Sequence, residues 1–192
     1  MGITEGIEIH HDGDLPARTG LGSSSAFVVG LLNALSALKN TMPTKMELAK
    51  AAIHIEQSVL RENVGCQDQV ITAFGGLQRV EFEKNDDIRV TPMVVSRERL
   101  EDLQAHTLLY YTGLSRIASE IVKEQLQNLP ARTSELSRMH EMVDESSGIL
   151  MGKSSLNAFG LLLDENWALK RRLSSRVSLP AIDEIYNAAK SA

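Results

Sequence analysis

The sequence predicts an α+β fold in two parts, and three features support this prediction. Alternating polar and apolar residues, typical of strands, occur at Ile3–His11 and on both sides of Asn85–Asp87. Apolar residues at helical spacing run from Ser24 to Leu38 and recur in most of the chain beyond residue 116. Pro92 interrupts the strand pattern between these regions, so we expect a boundary around Thr91–Ser96.

The composition is that of ordinary globular protein. With 192 residues, 43% hydrophobic and 23% charged, the chain suffices for one large domain or two small ones. The formal net charge of −5 argues against nucleic acid or an anionic membrane as the main partner. A single cysteine, Cys66, excludes an internal disulfide and fits a reducing compartment. We therefore expect a cytoplasmic protein that binds small molecules, and a homo-oligomer is compatible with the sequence.

A glycine loop followed by a helix dominates the first part of the chain. Gly20 and Gly22 allow positive φ values and a close approach of the backbone to a ligand. Three serines, Ser23–Ser25, occupy the expected first helical turn, where free N–H groups and the helix dipole favour a phosphate. The spacing matches neither the Walker loop nor the dinucleotide fingerprint. An ordinary turn that caps a buried helix is the alternative interpretation.

Two carboxylates follow in distinct settings. The capping box Thr44–Glu47 opens a helix with an apolar stripe, and Glu56 lies at the edge of that stripe. Asp68 is expected in the opening turn of a short helix that ends at Gly75-Gly76. Each carboxylate has a plain alternative, since Glu56 can be a solvated side chain and Asp68 a helix cap.

Three segments together resemble one enzyme family. Pro16-x-x-x-Gly20-Leu-Gly-Ser-Ser-Ser-Ala26 resembles the nucleotide loop P-x-x-x-G-L-G-S-S-A-A of the GHMP small-molecule kinases, such as galactokinase and mevalonate kinase. Gly65-x-x-Asp68-Gln69 resembles the galactokinase-type segment with that family's catalytic aspartate. The stretch from Trp167 to Ser175 resembles W-x-x-K-R-x-L-S-S of the D-glycero-D-manno-heptose 7-phosphate kinases, the branch to which the chain is most similar.

The resemblance implies ATP-dependent transfer of a γ-phosphate to a hydroxyl of a sugar phosphate. The implied acceptor is C1 of D-glycero-D-manno-heptose 7-phosphate, in the synthesis of nucleotide-activated heptose for surface polysaccharide. It also implies Asp68 as the catalytic residue and Ser24 with Glu56 as ligands of Mg²⁺. The implied ATP-binding residues are those of the glycine loop: Pro16, Gly20, Leu21, Gly22, Ser23, Ser24 and Ser25.

The resemblance further implies substrate-binding residues in the second half of the chain: Thr112, Arg116, Lys170 and Arg171. Thr112–Arg116 follows an apolar segment, Thr107–Tyr111, that is expected to form a strand, so an ordinary turn is the alternative for it. Cations at the end of a helix are equally explained by the helix dipole.

The family fold implies two domains. Residues 1–95 are expected to form an ATP-binding domain like ribosomal protein S5 domain 2, and residues 96–192 a ferredoxin-like domain. The family's first motif has no counterpart before residue 1, and its last glycine-rich loop is absent by residue 192, so we expect a fold truncated at both ends. The alternatives are another GHMP sugar kinase, such as a fucokinase or a galactokinase-like enzyme, or a non-catalytic fragment that binds nucleotide or sugar.

Overall fold

Helices form most of the structure, a computed structural model that describes residues 4, 6–13, 20–85, 87–114, 124–126 and 128–191. The elements in chain order are α1 (Ser23–Leu38), α2 (Lys45–Ile53), a π-helical segment (His54–Val59), α3 (Gln67–Phe74), β1 (Gln78–Phe82), β2 (Ile88–Pro92), α4 (Arg97–Ala105), a 3-10 turn (Leu129–Ala131), α5 (Thr133–Met151), α6 (Leu156–Leu173) and α7 (Pro180–Ser191). This mixture of helices with a sheet agrees with the predicted α+β class, whereas the division at residue 95 stays a prediction.

The first three helices pack around a small apolar core. Val29 and Leu32 of α1 meet Ala52 of α2 in a cluster of buried side chains. Ala49 and Ala52 are fully buried, and their small side chains leave little space between α2 and its neighbours. Partly buried side chains surround this cluster: Val28, Leu48, Ala51, Ile55 and Ala73. The core therefore fixes the start of α1 relative to α2 and α3.

Local signals begin and end these helices as predicted. The Thr44 hydroxyl accepts a hydrogen bond from the Glu47 N–H, and the Glu47 carboxylate accepts one from the Thr44 N–H at 2.7 Å. These two bonds confirm the capping box. Gly75, with φ at 66°, ends α3 in a conformation that favours glycine.

The predicted hairpin is confirmed. β1 and β2 are antiparallel, with Val80 opposite Val90 and Phe82 opposite Ile88. The hairpin is tied to the second half of the chain by Arg79, which pairs with Asp144 of α5.

Helices α5, α6 and α7 form the second group. Met142 and Leu150 of α5 and Leu156 and Leu162 of α6 are buried where these helices pack. Charged pairs bind the outer faces: Arg138 bonds Glu165 at 2.7 Å, and Lys190 bonds Asp164 at 2.6 Å. Among the described residues, no helix has both the length and the apolar content needed to span a membrane.

Two predicted strands are absent from the described residues. Residues 6–11 and 107–111 have no strand pairing, although alternation and apolar content favoured strands there. Leu108 is 89% exposed and Leu109 is 78% exposed. A strand forms only when a neighbouring strand satisfies its backbone groups, and the described residues provide none at these positions.

Some apolar residues at helical spacing are exposed rather than buried. Helix α1 is buried on one face only, since Phe27 and Leu38 are exposed. Val143 of α5 and Leu163 of α6, which belong to the apolar pattern beyond residue 116, are exposed too, and Met142 and Leu162 are buried instead. The accessible surface of 13550 Å² exceeds the roughly 9,000 Å² of a compact protein of this mass. Sparse packing therefore leaves apolar faces uncovered that periodicity alone assigns to a core.

Candidate active site at the glycine loop

The glycine loop has the backbone conformation predicted for it. Gly20 and Gly22 have φ values of 77° and 71°, in the left-handed region. Helix α1 begins directly afterwards at Ser23, and no side chain caps its first N–H groups. The start of α1 thus presents backbone donors and the positive end of the helix dipole beside the loop. Pro16 lies outside the described residues.

Glu56 is the central side chain of the site. Only 3% of the residue is exposed, although it carries a carboxylate. The Ser24 hydroxyl donates to its Oε1 at 2.9 Å, and the Ser25 hydroxyl donates to its Oε2 at 2.9 Å. The Gln69 side-chain amide also donates to Oε2. The edge-of-stripe carboxylate is therefore directed into the glycine loop rather than into solvent.

A change of helix type directs Glu56 inward. The helix that begins after Thr44 becomes π-helical over His54–Val59, and the Leu60 N–H bonds the Ile55 carbonyl at 2.8 Å. A π-helical turn is rare and is frequently found at functional sites. Here it buries Glu56 while His54, two residues earlier, stays exposed.

Asp68 lies beside Gly22 of the glycine loop. It is in the first turn of α3, as predicted, and it is exposed. A side chain added at Gly22 would place its Cβ 3.3 Å from the Asp68 Oδ2. The structure thus brings together three segments that are distant in sequence: the loop and start of α1, Glu56, and Asp68 with Gln69.

The donor set around Glu56 fits a hard divalent cation. Ser24 and Glu56 supply oxygen ligands, which Mg²⁺ prefers, and one hydroxyl with one carboxylate is enough when waters complete the octahedron. The partners of the buried Glu56 carboxylate are neutral hydroxyls and an amide, and no ion pair among the described residues involves it. A buried carboxylate without a counter-charge is costly, so a cation at this position would stabilise it.

The contacts of the predicted substrate residues that the structure describes are with residues outside the cluster around Glu56. Thr112 is exposed, and its hydroxyl accepts a long hydrogen bond of 3.4 Å from the Leu114 N–H. Arg116 lies outside the described residues. Lys170 is exposed, and Arg171 bonds the carboxylate of Asp183 at 2.8 Å.

Asp183 is held by two donors. The Ser178 hydroxyl donates to its Oδ1 at 2.7 Å, and Arg171 donates to the same oxygen. The Ser178 hydrogen bond, with a further contribution from the Arg171 pair, lowers the pKa of Asp183 below its ordinary value. The anion that Arg171 contacts in this structure is therefore a stable carboxylate.

Sequence reasoning missed one member of the site. Gln69 is fully buried and bonds Glu56, but its neighbour Asp68 carried the whole functional interpretation of that segment. A signal did exist, because a polar residue next to Asp68 on a short helix must face either solvent or the core. The sequence does not say which.

Comparisons of sequence confirm the predicted resemblance. Residues 1–76 match the family profile described as GHMP kinases N terminal domain. A D-glycero-alpha-D-manno-heptose 7-phosphate kinase of Campylobacter jejuni is 33% identical over 187 residues, which cover 95% of this chain and 54% of that protein. An L-fucokinase/L-fucose-1-P guanylyltransferase of Bacteroides fragilis is 29% identical over 196 residues, which cover 96% of this chain and 20% of that protein.

Two solved structures share the fold. A D-glycero-D-manno-heptose 1-phosphate kinase from Bacteroides thetaiotaomicron matches with a TM-score of 0.69 and 27% identity, over 83% of this chain and 46% of that one. A sugar kinase described as putative, from Campylobacter jejuni, matches with a TM-score of 0.58 and 27% identity, over 93% of this chain and 50% of that one. The chain spans about half the length of the heptose 7-phosphate kinase and of both solved structures.

Proposed function

We propose that this relative of the GHMP kinases transfers the γ-phosphoryl group of ATP to a hydroxyl of a sugar phosphate. The observation that supports it best is the convergence of Gly22, Glu56 and Asp68 from three separate segments on one point. Phosphoryl transfer needs a cradle for the triphosphate, a metal bridging its oxygens and an oriented acceptor. Each of these requirements has a candidate group at this point.

The glycine loop and the start of α1 bind the nucleotide in this proposal. The N–H groups of Ser23–Ser25 donate to phosphate oxygens, without the lysine of a Walker loop. Ser24 and Glu56 hold Mg²⁺, which when bound neutralises charge on the β- and γ-phosphates.

Asp68 faces the acceptor hydroxyl. Its carboxylate orients that hydroxyl or takes its proton as the new oxygen–phosphorus bond forms and the bond from the γ-phosphorus to the bridging oxygen breaks. The transition state of such transfers is loose, so orientation and electrostatics supply much of the catalysis. The closeness of the Asp68 carboxylate to Gly22 of the glycine loop supports this role.

We propose D-glycero-D-manno-heptose 7-phosphate, phosphorylated at C1, as the acceptor. The 33% identity to the Campylobacter jejuni heptose 7-phosphate kinase supports this choice, as do the cations Lys170 and Arg171, which suit a phosphate-bearing sugar. This assignment predicts a cytoplasmic reaction in the synthesis of nucleotide-activated heptose. The similarity to fucokinases favours fucose as the second candidate acceptor.

The test is ADP release by this chain with Mg-ATP and a panel of acceptors: heptose 7-phosphate, free heptose, fucose, galactose and mevalonate. The Campylobacter jejuni relative, assayed alongside, is the positive control. We expect release with heptose 7-phosphate above all others. Turnover confined to fucose would transfer the proposal to the second candidate. Binding of Mg-ATP or of a sugar without turnover on any acceptor, with an active control, would favour the non-catalytic fragment that binds nucleotide or sugar.

A further inference from the structure

Gln69 is the most deeply buried polar side chain of the site, with 0% exposure. Helix α3 directs it toward the π-helical segment, where its amide nitrogen donates to Glu56 Oε2. Ser25 donates to the same oxygen, and Ser24 donates to Oε1. Three donors from two helices therefore fix the plane of the Glu56 carboxylate.

The other end of the Gln69 amide has no partner. Its Oε1 is inaccessible to solvent and makes no hydrogen bond to any residue that the structure describes. Buried carbonyl oxygens nearly always accept a hydrogen bond, and one that accepts none is costly. This oxygen is on the same amide that holds Glu56, so the missing donor belongs to the site.

The missing donor and the missing counter-charge have one common solution. Glu56 is a buried carboxylate whose partners in the structure are neutral. Magnesium dehydrates reluctantly and keeps several waters, whose protons are hydrogen-bond donors. A hydrated cation beside Glu56 would supply both the positive charge for the carboxylate and a donor for the amide oxygen.

We infer that Gln69 is a positioning residue for the metal site: its amide nitrogen holds Glu56, and its unpartnered amide oxygen would accept a hydrogen bond from the hydration shell of a cation once that cation is bound. The inference rests on the proposed function, because it takes Glu56 and Ser24 as the metal ligands. Groups that orient metal ligands from behind contribute substantially to metal affinity, and their loss typically costs about 10- to 100-fold.

The test is a titration of the chain with Mn²⁺, followed by electron paramagnetic resonance, in the presence of a non-hydrolysable ATP analogue. Nucleotide affinity without metal is measured in parallel by calorimetry. The variants are Gln69→Leu, which removes both polar atoms, and Gln69→Asn, which keeps an amide too short to reach Glu56. Gln67→Leu, at an exposed position of the same helix, is the matched control.

We expect Gln69→Leu and Gln69→Asn to raise the Mn²⁺ dissociation constant about 10- to 100-fold. Metal-free nucleotide affinity should stay within about twofold of wild type, as should every value for Gln67→Leu. If Gln69→Leu does not fold, Gln69→Asn decides the question, because it retains a polar group in the buried position.

Two results would overturn the inference, and they differ from failure of the proposed function. Folded Gln69 variants with wild-type Mn²⁺ affinity would show that Gln69 does not act on the metal. Variants that lose nucleotide affinity equally with and without metal would show a merely structural role. A wild-type chain that binds nucleotide but no Mn²⁺ would instead contradict the proposed metal site itself.

Discussion

Gly22 and Asp68 lie against each other across the site, so that a Cβ at position 22 would be 3.3 Å from Asp68 Oδ2. The φ of Gly22 is 71°, in the region where a side chain is strained. The conformation therefore favours glycine at this position, and an added Cβ would also displace the exposed Asp68 side chain by a few tenths of an ångström. The loop is the surface against which the Asp68 carboxylate rests.

Gly22→Ala should consequently destabilise the protein and displace Asp68. A left-handed non-glycine residue costs about 1–2 kcal/mol, and the new methyl group crowds the carboxylate. We expect urea denaturation to show that loss, with a fall of about tenfold in the rate of ADP release, roughly the effect of 1.4 kcal/mol on a barrier.

Gly30→Ala is the control for this prediction. Gly30 is inside α1, and an added Cβ would meet nothing within 4 Å. Relief of the glycine penalty in a helix should raise stability by about 0.5–1 kcal/mol with activity unchanged. Equal stability and activity for Gly22→Ala and wild type would contradict the close approach of Gly22 to Asp68.

Glu56→Gln should preserve the stability of the fold while removing its response to magnesium. The oxygen of the introduced amide can replace Oε2 and accept the hydrogen bonds from Ser25 and Gln69. Its nitrogen can replace Oε1 and donate a hydrogen bond to the Ser24 hydroxyl. Because the hydrogen bonds survive and a buried charge is removed, we expect a melting temperature equal to or above that of wild type without metal.

The same variant should lose its response to magnesium. We expect Mg²⁺ to raise the affinity of the wild-type chain for ATP. The corresponding increase for Glu56→Gln should be smaller by a factor of at least about ten, because a direct metal ligand is lost. The measurement is calorimetric titration of ATP with and without Mg²⁺. A wild-type magnesium response in a folded Glu56→Gln variant would rule out Glu56 as a ligand.

Asp183→Asn should free Arg171 for a phosphate. Arg171 now bonds the Asp183 carboxylate, whose pKa is lowered by the Ser178 hydroxyl and by Arg171 itself. Removing that anion leaves the guanidinium available, so we expect a KM for the sugar phosphate that is lower by about twofold to fivefold, the equivalent of up to about 1 kcal/mol for an exposed ion pair. Arg171→Ala should raise the same KM.

The unphosphorylated sugar is the control for both variants. A KM change of equal size for the phosphorylated and the free sugar would contradict a phosphate-binding role for Arg171. It would leave the cations at the end of α6 with the explanation from the helix dipole alone.

Thr44→Ala should destabilise the helical core in a pH-dependent way. Loss of this helix cap costs about 1 kcal/mol at neutral pH. Hydrogen bonds from the Thr44 N–H and hydroxyl lower the pKa of Glu47. The Glu47 carboxylate therefore stabilises the folded protein above its ordinary pKa of 4.5, and this stabilisation is lost as the pH falls through the lowered value.

Urea denaturation at pH 7 and pH 3 checks this prediction. The difference between wild type and Thr44→Ala should shrink as the pH falls from 7 to 3, because protonation of Glu47 progressively removes its part of the capping box. Thr133→Ala, at an exposed position in the first turn of α5, should show a small difference that does not depend on pH. An undiminished Thr44→Ala effect at pH 3 would contradict the contribution of the Glu47 carboxylate.

Local chemistry explains what the sequence predicted well. The capping box at Thr44, the left-handed Gly22 and the glycine that ends α3 depend on a few adjacent residues, so pattern alone located them. The hairpin was predictable for the same reason. The site residues Ser24, Glu56 and Asp68 were selected through family resemblance, because none of them has a distinctive neighbourhood in sequence.

What escaped prediction depends on contacts between distant residues. The π-helical turn at His54–Val59 and the burial of Gln69 arise where α2 and α3 pack against the glycine loop. The expected strand at residues 107–111 was wrong, and α1 is buried on one face only, because alternation and apolar content do not reveal whether a partner covers a segment. Periodicity predicts a surface that can be buried, and packing decides whether it is.

Asp68→Asn tests the central claim most directly. ADP release in the presence of Mg-ATP and heptose 7-phosphate is measured beside calorimetric binding of a non-hydrolysable ATP analogue, for wild type and variant. With Asp68 over the glycine loop, we predict a loss of at least about 100-fold in the rate, in the range typical of positioned acid–base groups, with nucleotide affinity within about threefold of wild type. A variant that binds nucleotide and retains the wild-type rate would contradict the account.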